Sequence, residues 1–212
     1  MKFIWRSILA CTLELKIIAI TIVVITSLPI IAIIVIVGGG ISEASDTLTS
    51  YNPVTKRIQV RDARGDVVAD FVADIAWPTR GYISDTFGAH DPERKALGLG
   101  PHTGVDIAHR RNAAGEPVTV FLKGTVKSVV YGNKGYGNYV IVDHGYNLIS
   151  VYGHLSSIST TVGSTLVPGN TIGKMGTSGT STGVHLHFEV RVYGVPVNPL
   201  IYMSGTPLES SF

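Results

Sequence analysis

Positions 184–192 alternate strictly between apolar and polar residues, and this pattern constrains the fold more than any other feature of the chain. Residues two apart on a β-strand lie on the same face of the sheet. The segment therefore predicts a strand with one core-facing side, formed by Val184, Leu186, Phe188, Val190 and Val192. The opposite side of this strand presents four polar residues next to one another, namely His185, His187, Glu189 and Arg191.

Short β-prone runs separated by glycine-rich turns continue through the chain from Trp77 onward. The runs at 124–131, 139–143, 148–152 and 184–193 are the clearest. The chain contains 24 Gly and 10 Pro, and we find no amphipathic helical pattern of useful length after Trp77. We therefore expect a mainly β protein, built as a compact antiparallel β-sandwich large enough to bury its own core.

The composition excludes several classes of protein. Apolar residues make up 45% of the 212 positions and charged residues only 15%, which is not the composition of a disordered chain. The formal net charge of +2 provides no basic field that would attract nucleic acid. The single cysteine, Cys11, excludes an internal disulfide scaffold and a metal site built from thiolates.

Residues 17–40 contain no charged side chain and consist mostly of Ile and Val. Because about 20 such residues in a helix span the hydrocarbon core of a bilayer, we expect a transmembrane anchor here. A cleaved signal peptide is the alternative, with Ser42 and Ala44 as the small residues of a cleavage site. The apolar part of a signal peptide is usually only about 7–15 residues long, so the length favours a retained anchor.

The charges on either side of this apolar segment predict its orientation. Three basic residues and one acidic residue precede it, namely Lys2, Arg6, Lys16 and Glu14. Glu43 and Asp46 follow it. The positive-inside rule then places the N-terminus in the cytoplasm and everything after Gly40 outside it.

Residues 41–76 are polar and mixed in composition. Two short alternating pieces at 57–61 and 66–72 flank Ala63-Arg64-Gly65 and suit a small hairpin, but a simple stalk fits the sequence equally well. We therefore divide the chain into a cytoplasmic tail (1–16), a transmembrane anchor (17–40), a stalk or hairpin (41–76), a main domain (77–203) and a C-terminal tail (204–212).

The predicted strand at 184–192 holds two histidines about 7 Å apart on one face, an arrangement that can aim both imidazoles at one metal ion. Two solvated surface histidines would give the same pattern. A second segment supplies His102 and Asp106, with a glycine between them that lets the backbone bend. Two nitrogens and one carboxylate oxygen form the ligand set of many catalytic zinc sites, and also that of non-haem Fe(II) oxygenases. Those oxygenases typically place the carboxylate two residues from the histidine, not four, so the spacing favours zinc.

The remaining histidines carry less information. His154 ends a predicted strand in Tyr152-Gly153-His154-Leu155, which makes it a candidate cleft residue, although the local sequence alone favours a structural histidine. His90, His109 and His144 are expected to be structural or surface residues.

Taken in order, these motifs resemble the lysostaphin-like (LytM-type) zinc endopeptidases. The resemblance rests on His102-x-x-x-Asp106, on His154 in Tyr-Gly-His-Leu, and on His185-Leu-His187-Phe-Glu. Segments at 77–88, 136–140, 143–145, 176–183 and 194–199 also look like parts of this family. The resemblance therefore extends over residues 77–203.

The resemblance implies an antiparallel β fold with a groove walled by loops, one zinc ion per chain, and peptidoglycan cross-links or stem peptides as substrates. Carried over by motif, His102, Asp106 and His187 would hold the zinc, and His154 and His185 would be the catalytic histidines. Some members of the family have lost ligands and only activate other hydrolases. Because this chain keeps all five positions, we expect a membrane-anchored zinc endopeptidase, in a bacterial inner membrane or in the membrane of a bacteriophage virion. A catalytically silent peptidoglycan-binding or activator module is the alternative.

Overall fold

The computed structural model describes residues 47–90, 92–96, 98–109 and 114–203. These residues form mainly β-strands, and every strand pair among them is antiparallel. The prediction of a mainly β, antiparallel fold is therefore confirmed. No helix within this described part has the length and apolar character needed to cross a bilayer. The predicted anchor at 17–40 lies outside the described residues.

The first sheet lies in the segment for which the sequence left a hairpin and a stalk open. It contains β1 (Thr49–Asn52), β2 (Arg57–Arg61) and β3 (Val67–Val72), in that spatial order. In the turn between β2 and β3, the Asp62 carboxylate accepts hydrogen bonds from the backbone N–H groups of Arg64 and Asp66.

This small sheet packs against the rest of the described chain. The Thr49 and Tyr202 hydroxyls are 2.8 Å apart in a buried hydrogen bond, and the rings of Phe71 and Tyr146 stack with their centroids 5.3 Å apart. The side chain of Ile58 is fully buried. The sheet is thus part of a folded unit that extends to the C-terminal strands.

Two further sheets are formed by residues 82–197. Their strands are β4 (Tyr82–Asp85), β5 (Val105–Ala108), β6 (Pro117–Thr119), β7 (Gly124–Val130), β8 (Tyr139–Asp143), β9 (Leu148–Gly153), β10 (Leu155–Ile158), β11 (Thr165–Leu166), β12 (Thr171–Met175), β13 (His185–Val192) and β14 (Val195–Val197). The larger sheet has eight strands in the order β11-β7-β8-β9-β13-β5-β4, with β14 also paired to β13. The smaller sheet has the order β10-β12-β6. A short helix α1 (Pro92–Ala96) and a 3₁₀-helix (Pro199–Ile201) complete the described elements.

The four strands predicted from sequence are all present, and each end lies within one residue of its predicted position. The other strands of the two sheets are only 2 to 5 residues long. Runs of this length are too short for a period of two to stand out from chance, so the sequence did not identify them individually.

Strand β13 forms the centre of the core. Leu186, Phe188, Val190 and Val192 are fully buried, as the alternation predicts, whereas Val184 precedes the strand and is half-buried. Burying a side chain of this size is worth about 1.5–3 kcal/mol. The opposite face of β13 is covered as well, because the candidate site residues and the loops around them lie over it. The strand is therefore held from both sides, which gives the residues on its polar face a rigid support.

Candidate metal centre and active site

The register of three neighbouring strands brings the candidate site residues together. In the ladder between β13 and β5, His187 lies directly opposite Asp106. In the ladder between β13 and β9, the same His187 lies opposite Gly153, the residue before His154. Directly opposed residues on antiparallel strands have Cβ atoms only about 4.5–5.5 Å apart. The sheet thus places His187 between the carboxylate and the loop histidine.

Three atoms converge at the centre of this arrangement. His102 Nε2 is 3.0 Å from His187 Nδ1, His187 Nδ1 is 2.8 Å from Asp106 Oδ1, and His102 Nε2 is 3.1 Å from Asp106 Oδ1. Two ligands of one tetrahedral zinc ion, each 2.0–2.1 Å from it, lie about 3.3 Å apart. Within the described part of the chain, this is the one group of three or more His, Cys, Asp or Glu side chains whose ligand atoms are close enough to hold a metal ion.

The outer contacts of both imidazoles determine which nitrogen carries a proton. His102 Nδ1 is 3.0 Å from the carbonyl oxygen of Thr86, and His187 Nε2 is 3.0 Å from Glu189 Oε1. A carbonyl and a carboxylate only accept hydrogen bonds, so each of these outer nitrogens must donate. When a metal ion occupies the inner side, His102 Nε2 and His187 Nδ1 therefore both present lone pairs to it, next to the Asp106 carboxylate. Such outer partners are typical of metal-binding histidines.

Three converging lone pairs repel one another unless a cation lies among them. Burial alone would raise the pKa of Asp106, but in the metal-free protein its contacts with the His102 and His187 imidazoles outweigh burial and hold that pKa well below its usual range. Burial alone would lower the pKa of His187, but Asp106 and Glu189 raise it to about 9. In the metal-free protein His187 therefore carries a second proton, on Nδ1, which it donates to Asp106 Oδ1 and which zinc would replace. The donor set, its distances and its charge fit a divalent zinc ion.

Gly104 explains how His102 and Asp106 come so close to β13. A Cβ atom at this position would lie 2.3 Å from the carbonyl oxygen of Phe188, so no other residue allows the start of β5 to approach β13 in this way. The sequence suggested that this glycine lets the backbone bend. The structure instead shows that close contact between two backbones requires it.

His154 lies beside the three-atom cluster. Its ring centroid is 4.7 Å from that of His185 and 5.8 Å from that of His187. His154 Nδ1 donates to the carbonyl oxygen of Ser178 at 2.7 Å, which leaves Nε2 as the acceptor. Burial, followed by the neighbouring His185, lowers the pKa of His154 to about 4. The ring is therefore neutral at pH 7 and able to accept a proton.

His185 occupies the other side of the site. Its Nδ1 donates to the carbonyl oxygen of Gly183 at 3.0 Å, and its Nε2 is 3.5 Å from Asp106 Oδ2. The structure thus brings all five predicted site residues together, with three ligand atoms in one cluster and two imidazoles beside it.

An open groove of about 620 Å³ gives access to these residues. The loops at 98–103, 132–138 and 176–183 form much of its wall. Its lining comprises Ser84, Asp85, Arg94, Leu99, Gly100, Pro101, Thr103, Asp106, Gly135, Tyr136, His154, Thr180, Ser181, Thr182, His185 and His187.

Two of these loops contact each other through their backbones. The N–H group of Thr180 donates to the carbonyl oxygen of Gly135 at 2.9 Å, and the N–H group of Asn138 donates to Ser178 Oγ at 2.9 Å. A Cβ atom on Gly179 would lie 2.3 Å from the backbone nitrogen of Gly137. This wall of the groove therefore depends on glycine.

A buried polar network beneath His187 was not assigned a role from the sequence. Glu189 is fully buried, and hydrogen-bonding groups of Thr103, Tyr136, His187 and Arg191 surround its carboxylate. Glu189 and Arg191 follow His187 on the same face of β13, so their spacing was the available signal. Thr103 and Tyr136 come from loops, and no periodicity points to them.

The three remaining histidines do not line the groove. His144 Nδ1 donates to the carbonyl oxygen of Lys123 at 2.9 Å, and its Nε2 is 2.8 Å from the Ser150 hydroxyl. His109 Nε2 is 3.7 Å from a carboxylate oxygen of Glu116, and His90 is exposed.

A sequence profile and a solved structure both relate this chain to one protein family. The sequence profile described as "Peptidase family M23" matches residues 100–199, which include all five site residues. A solved structure of the catalytic domain of the prophage-encoded M23 protein EnpA from Enterococcus faecalis superposes with a TM-score of 0.50. It is 32% identical, and the match covers 60% of this chain and 94% of that one. The chain belongs to peptidase family M23.

Curated M23 relatives differ in what their names describe. The "Murein hydrolase activator NlpD" of Escherichia coli (strain K12) is 34% identical over 127 residues, which are 60% of this chain and 30% of NlpD. The "DD-carboxypeptidase/endopeptidase Mpg" of Neisseria meningitidis serogroup B is 40% identical over 107 residues, which are 50% of this chain and 24% of Mpg. The chain spans only part of the length of its curated relatives, and family membership here applies to the shared M23 domain.

Proposed function

We propose that this chain is a zinc endopeptidase that hydrolyses peptide bonds in peptidoglycan cross-links or stem peptides. The observation that carries the proposal is the cluster of His102 Nε2, Asp106 Oδ1 and His187 Nδ1, with all three lone pairs directed inward and a groove above them. Three protein ligands leave a coordination position open, as in catalytic zinc sites. The name of NlpD refers to murein and that of Mpg to an endopeptidase, and together the two names support peptidoglycan peptides as the substrate.

Zinc, when bound, supplies a Lewis acid that polarises a peptide carbonyl and acidifies water. His102, Asp106 and His187 would hold it. His154 and His185 lie on the groove side of the cluster, where one accepts the proton of the attacking water and the other donates to the developing oxyanion or the leaving nitrogen. His154 is neutral at pH 7, which suits an acceptor, and the geometry leaves both assignments of the two roles open.

A second function is favoured by the similarity to NlpD, whose name describes an activator of murein hydrolases. In this alternative the domain binds peptidoglycan or another hydrolase and does not cut bonds. Only the endopeptidase function predicts that the chain itself cleaves peptide bonds. Purified full-length chain, loaded with zinc in detergent, is incubated with purified cell walls, and new amine ends are identified by mass spectrometry.

The matched control for that experiment is Asp106→Asn, which keeps the shape of the side chain and removes its charge. We expect new amine ends with the zinc-loaded wild-type chain and none with Asp106→Asn, whose zinc content falls with the loss of one of three ligands. Full zinc occupancy together with absence of cleavage in the wild-type chain would favour the activator function.

We also propose that residues 17–40 anchor the chain in a membrane, with residues 1–16 in the cytoplasm and the M23 domain outside it. The length of the apolar segment and its flanking charges support this arrangement. Protease added to spheroplasts is expected to remove residues 41–212 and to leave the N-terminal tail protected. Digestion of the M23 domain only after lysis would reverse the orientation.

A further inference from the structure

Glu189 is a fully buried carboxylate directly behind a proposed metal ligand. Its Oε1 accepts hydrogen bonds from His187 Nε2 at 3.0 Å, from the Tyr136 hydroxyl at 2.6 Å and from the Thr103 hydroxyl. Its Oε2 accepts from Arg191 Nε at 2.7 Å. A buried carboxylate is costly unless it is paired and hydrogen-bonded, and here both oxygens have charged or hydroxyl donors.

The direction of each hydrogen bond in this network is fixed. An Arg191 guanidinium N–H donates to the Tyr136 hydroxyl oxygen at 2.8 Å, so the Tyr136 hydroxyl uses its own hydrogen toward Glu189. The ionised carboxylate can only accept, so His187 must carry its proton on Nε2 when a metal occupies the inner side. Arg191 and Tyr136 thus hold Glu189 in one orientation, and Glu189 selects the tautomer that directs the Nδ1 lone pair toward Asp106 and His102.

The two imidazoles of the cluster are supported differently. On the outer side of His102, Nδ1 has the backbone carbonyl of Thr86 at 3.0 Å and Asp85 Oδ2 at 3.2 Å. A side-chain substitution can remove Asp85 but not the carbonyl. His187 has Glu189 Oε1 as the partner of its outer nitrogen. A change at Glu189 therefore affects its histidine more than the equivalent change at Asp85.

We propose that Glu189 is a positioning residue of the metal centre, which acts on zinc through His187 and is itself held by Tyr136 and Arg191. This inference rests on the proposed function, because it requires His187 to be a ligand. Partners of this kind orient a ligand and increase its basicity, and their loss typically weakens metal binding by about 10–100-fold.

The test is the zinc affinity of the purified full-length chain, measured by competition with a chromogenic chelator. In Glu189→Gln the new amide keeps the shape of the carboxylate. If its NH₂ group faces His187, the imidazole must move its proton to Nδ1. If its oxygen faces His187, the NH₂ group takes the place of Oε2 and faces the N–H groups of Arg191, so that donors oppose each other. We expect an affinity about 10–100-fold weaker than wild type.

Asp85→Asn is the matched control, since it makes the same charge change behind the other histidine. We expect its zinc affinity to fall by less than about tenfold, because the Thr86 carbonyl remains. Asp70→Asn, in an exposed ion pair of β3 with Arg57, serves as a remote control and leaves the affinity unchanged. The visible absorption of the cobalt-substituted chain gives a second readout, which we expect to change in Glu189→Gln and not in Asp70→Asn.

Tyr136→Phe keeps the inference testable should Glu189→Gln fail to fold. It removes one hydrogen bond to Glu189 without a change in charge, and we expect a smaller but measurable loss of zinc affinity. A folded Glu189→Gln chain with wild-type zinc affinity would overturn the positioning role. If Glu189→Gln does not fold, wild-type zinc affinity in Tyr136→Phe would overturn it instead. If His187→Ala nevertheless abolishes zinc binding, the proposed function stands. Equal zinc binding by wild type and His187→Ala would overturn both.

Discussion

The site has two halves that are held in place by different means. Asp106, His185 and His187 lie on β5 and β13, where ladder register and buried side chains on the opposite face fix their positions. His102 and His154 lie on loops. The backbone N–H of His102 donates to the carbonyl oxygen of Ala89, and that of His154 donates to the carbonyl oxygen of Tyr136, each at 2.8 Å.

The loop half also contains backbone strain. His154 has a φ of +59°, a left-handed conformation that costs a residue other than glycine on the order of 1–3 kcal/mol. Its side chain is held by the Ser178 carbonyl, which belongs to another loop. The strand half of the site is therefore built into the sheet, whereas the position of His154 depends on contacts between loops. Changes in those loops should affect catalysis before they affect metal binding.

The largest expected effect comes from removing the two non-ligand imidazoles, one from each half. We expect His154→Ala and His185→Ala each to keep near-normal zinc content and to lose turnover by about 10²-fold or more, as is typical for a positioned acid or base. Metal content and turnover are measured on the same purified samples.

These two variants also test the distinction between ligand and catalyst. His185 Nε2 lies close to Asp106, so a loss of zinc from His185→Ala would make His185 a fourth ligand and the site a closed, structural one. Unchanged turnover in His154→Ala would assign that residue a structural role, in spite of its position in the groove.

A smaller effect is expected from Gly179→Ala, which disturbs the loop half without removing a site residue. Gly179 has a φ of +76°, and a Cβ atom there would lie 2.3 Å from one backbone atom of the 132–138 loop and 2.5 Å from another. The two loops must move apart, at a cost of about 1–3 kcal/mol in backbone strain alone. We expect a lower free energy of unfolding and reduced turnover, with zinc affinity retained.

Gly183→Ala is the control for that variant, because it lies at the end of the same loop. A Cβ atom on Gly183 has no other atom within 4 Å, and its φ is not in the left-handed region. We expect it to be neutral or to stabilise the chain by up to about 1 kcal/mol. Equal stability and turnover of the two variants, measured by denaturant unfolding and peptide hydrolysis, would contradict the dependence of His154 on loop packing.

The same division explains how much of the site the sequence could predict. The alternation at 184–192 is a local pattern, and it placed His185 and His187 on one face of a strand that the structure confirms. The position of His154 depends on the contact between two glycine-containing loops that are distant in sequence, and no local pattern encodes that contact. The residue types already suggested that His102 and Asp106 could join the strand histidines in a metal site, whereas only the family resemblance connected His154 to that site. The resemblance named the site residues but not their supports, so the network around Glu189 required the three-dimensional structure.

The smallest expected effect concerns His144, a loop histidine outside the groove that can be compared with His154. Burial lowers the pKa of both rings to about 4, whereas an unfolded histidine titrates near 6.5. The unfolded chain therefore binds more protons than the folded one between these values. The contribution of these neutral rings to the free energy of unfolding is fully present above pH 6.5, and it decreases as the pH falls toward 4.

His144→Asn separates this contribution from that of His154. The asparagine amide can still donate to the Lys123 carbonyl but does not titrate. We therefore expect the variant to be less stable than wild type at pH 8, and to lose less of its free energy of unfolding on acidification. We expect the difference in free energy of unfolding between the two proteins to narrow by on the order of 1–2 kcal/mol, or a few degrees in Tm, between pH 7 and pH 4.5.

Thermal unfolding of the zinc-free chains measures this difference, since acid release of zinc would otherwise dominate the curve. Carboxylates with lowered pKa values, such as Glu189 and Asp106, also lose stabilisation as the pH approaches their unfolded values near 4, but they do so in both proteins and cancel from the difference. Parallel loss of stability in both proteins would show that His144 is protonated in the folded state, and that burial in the turn between β8 and β9 does not keep it neutral.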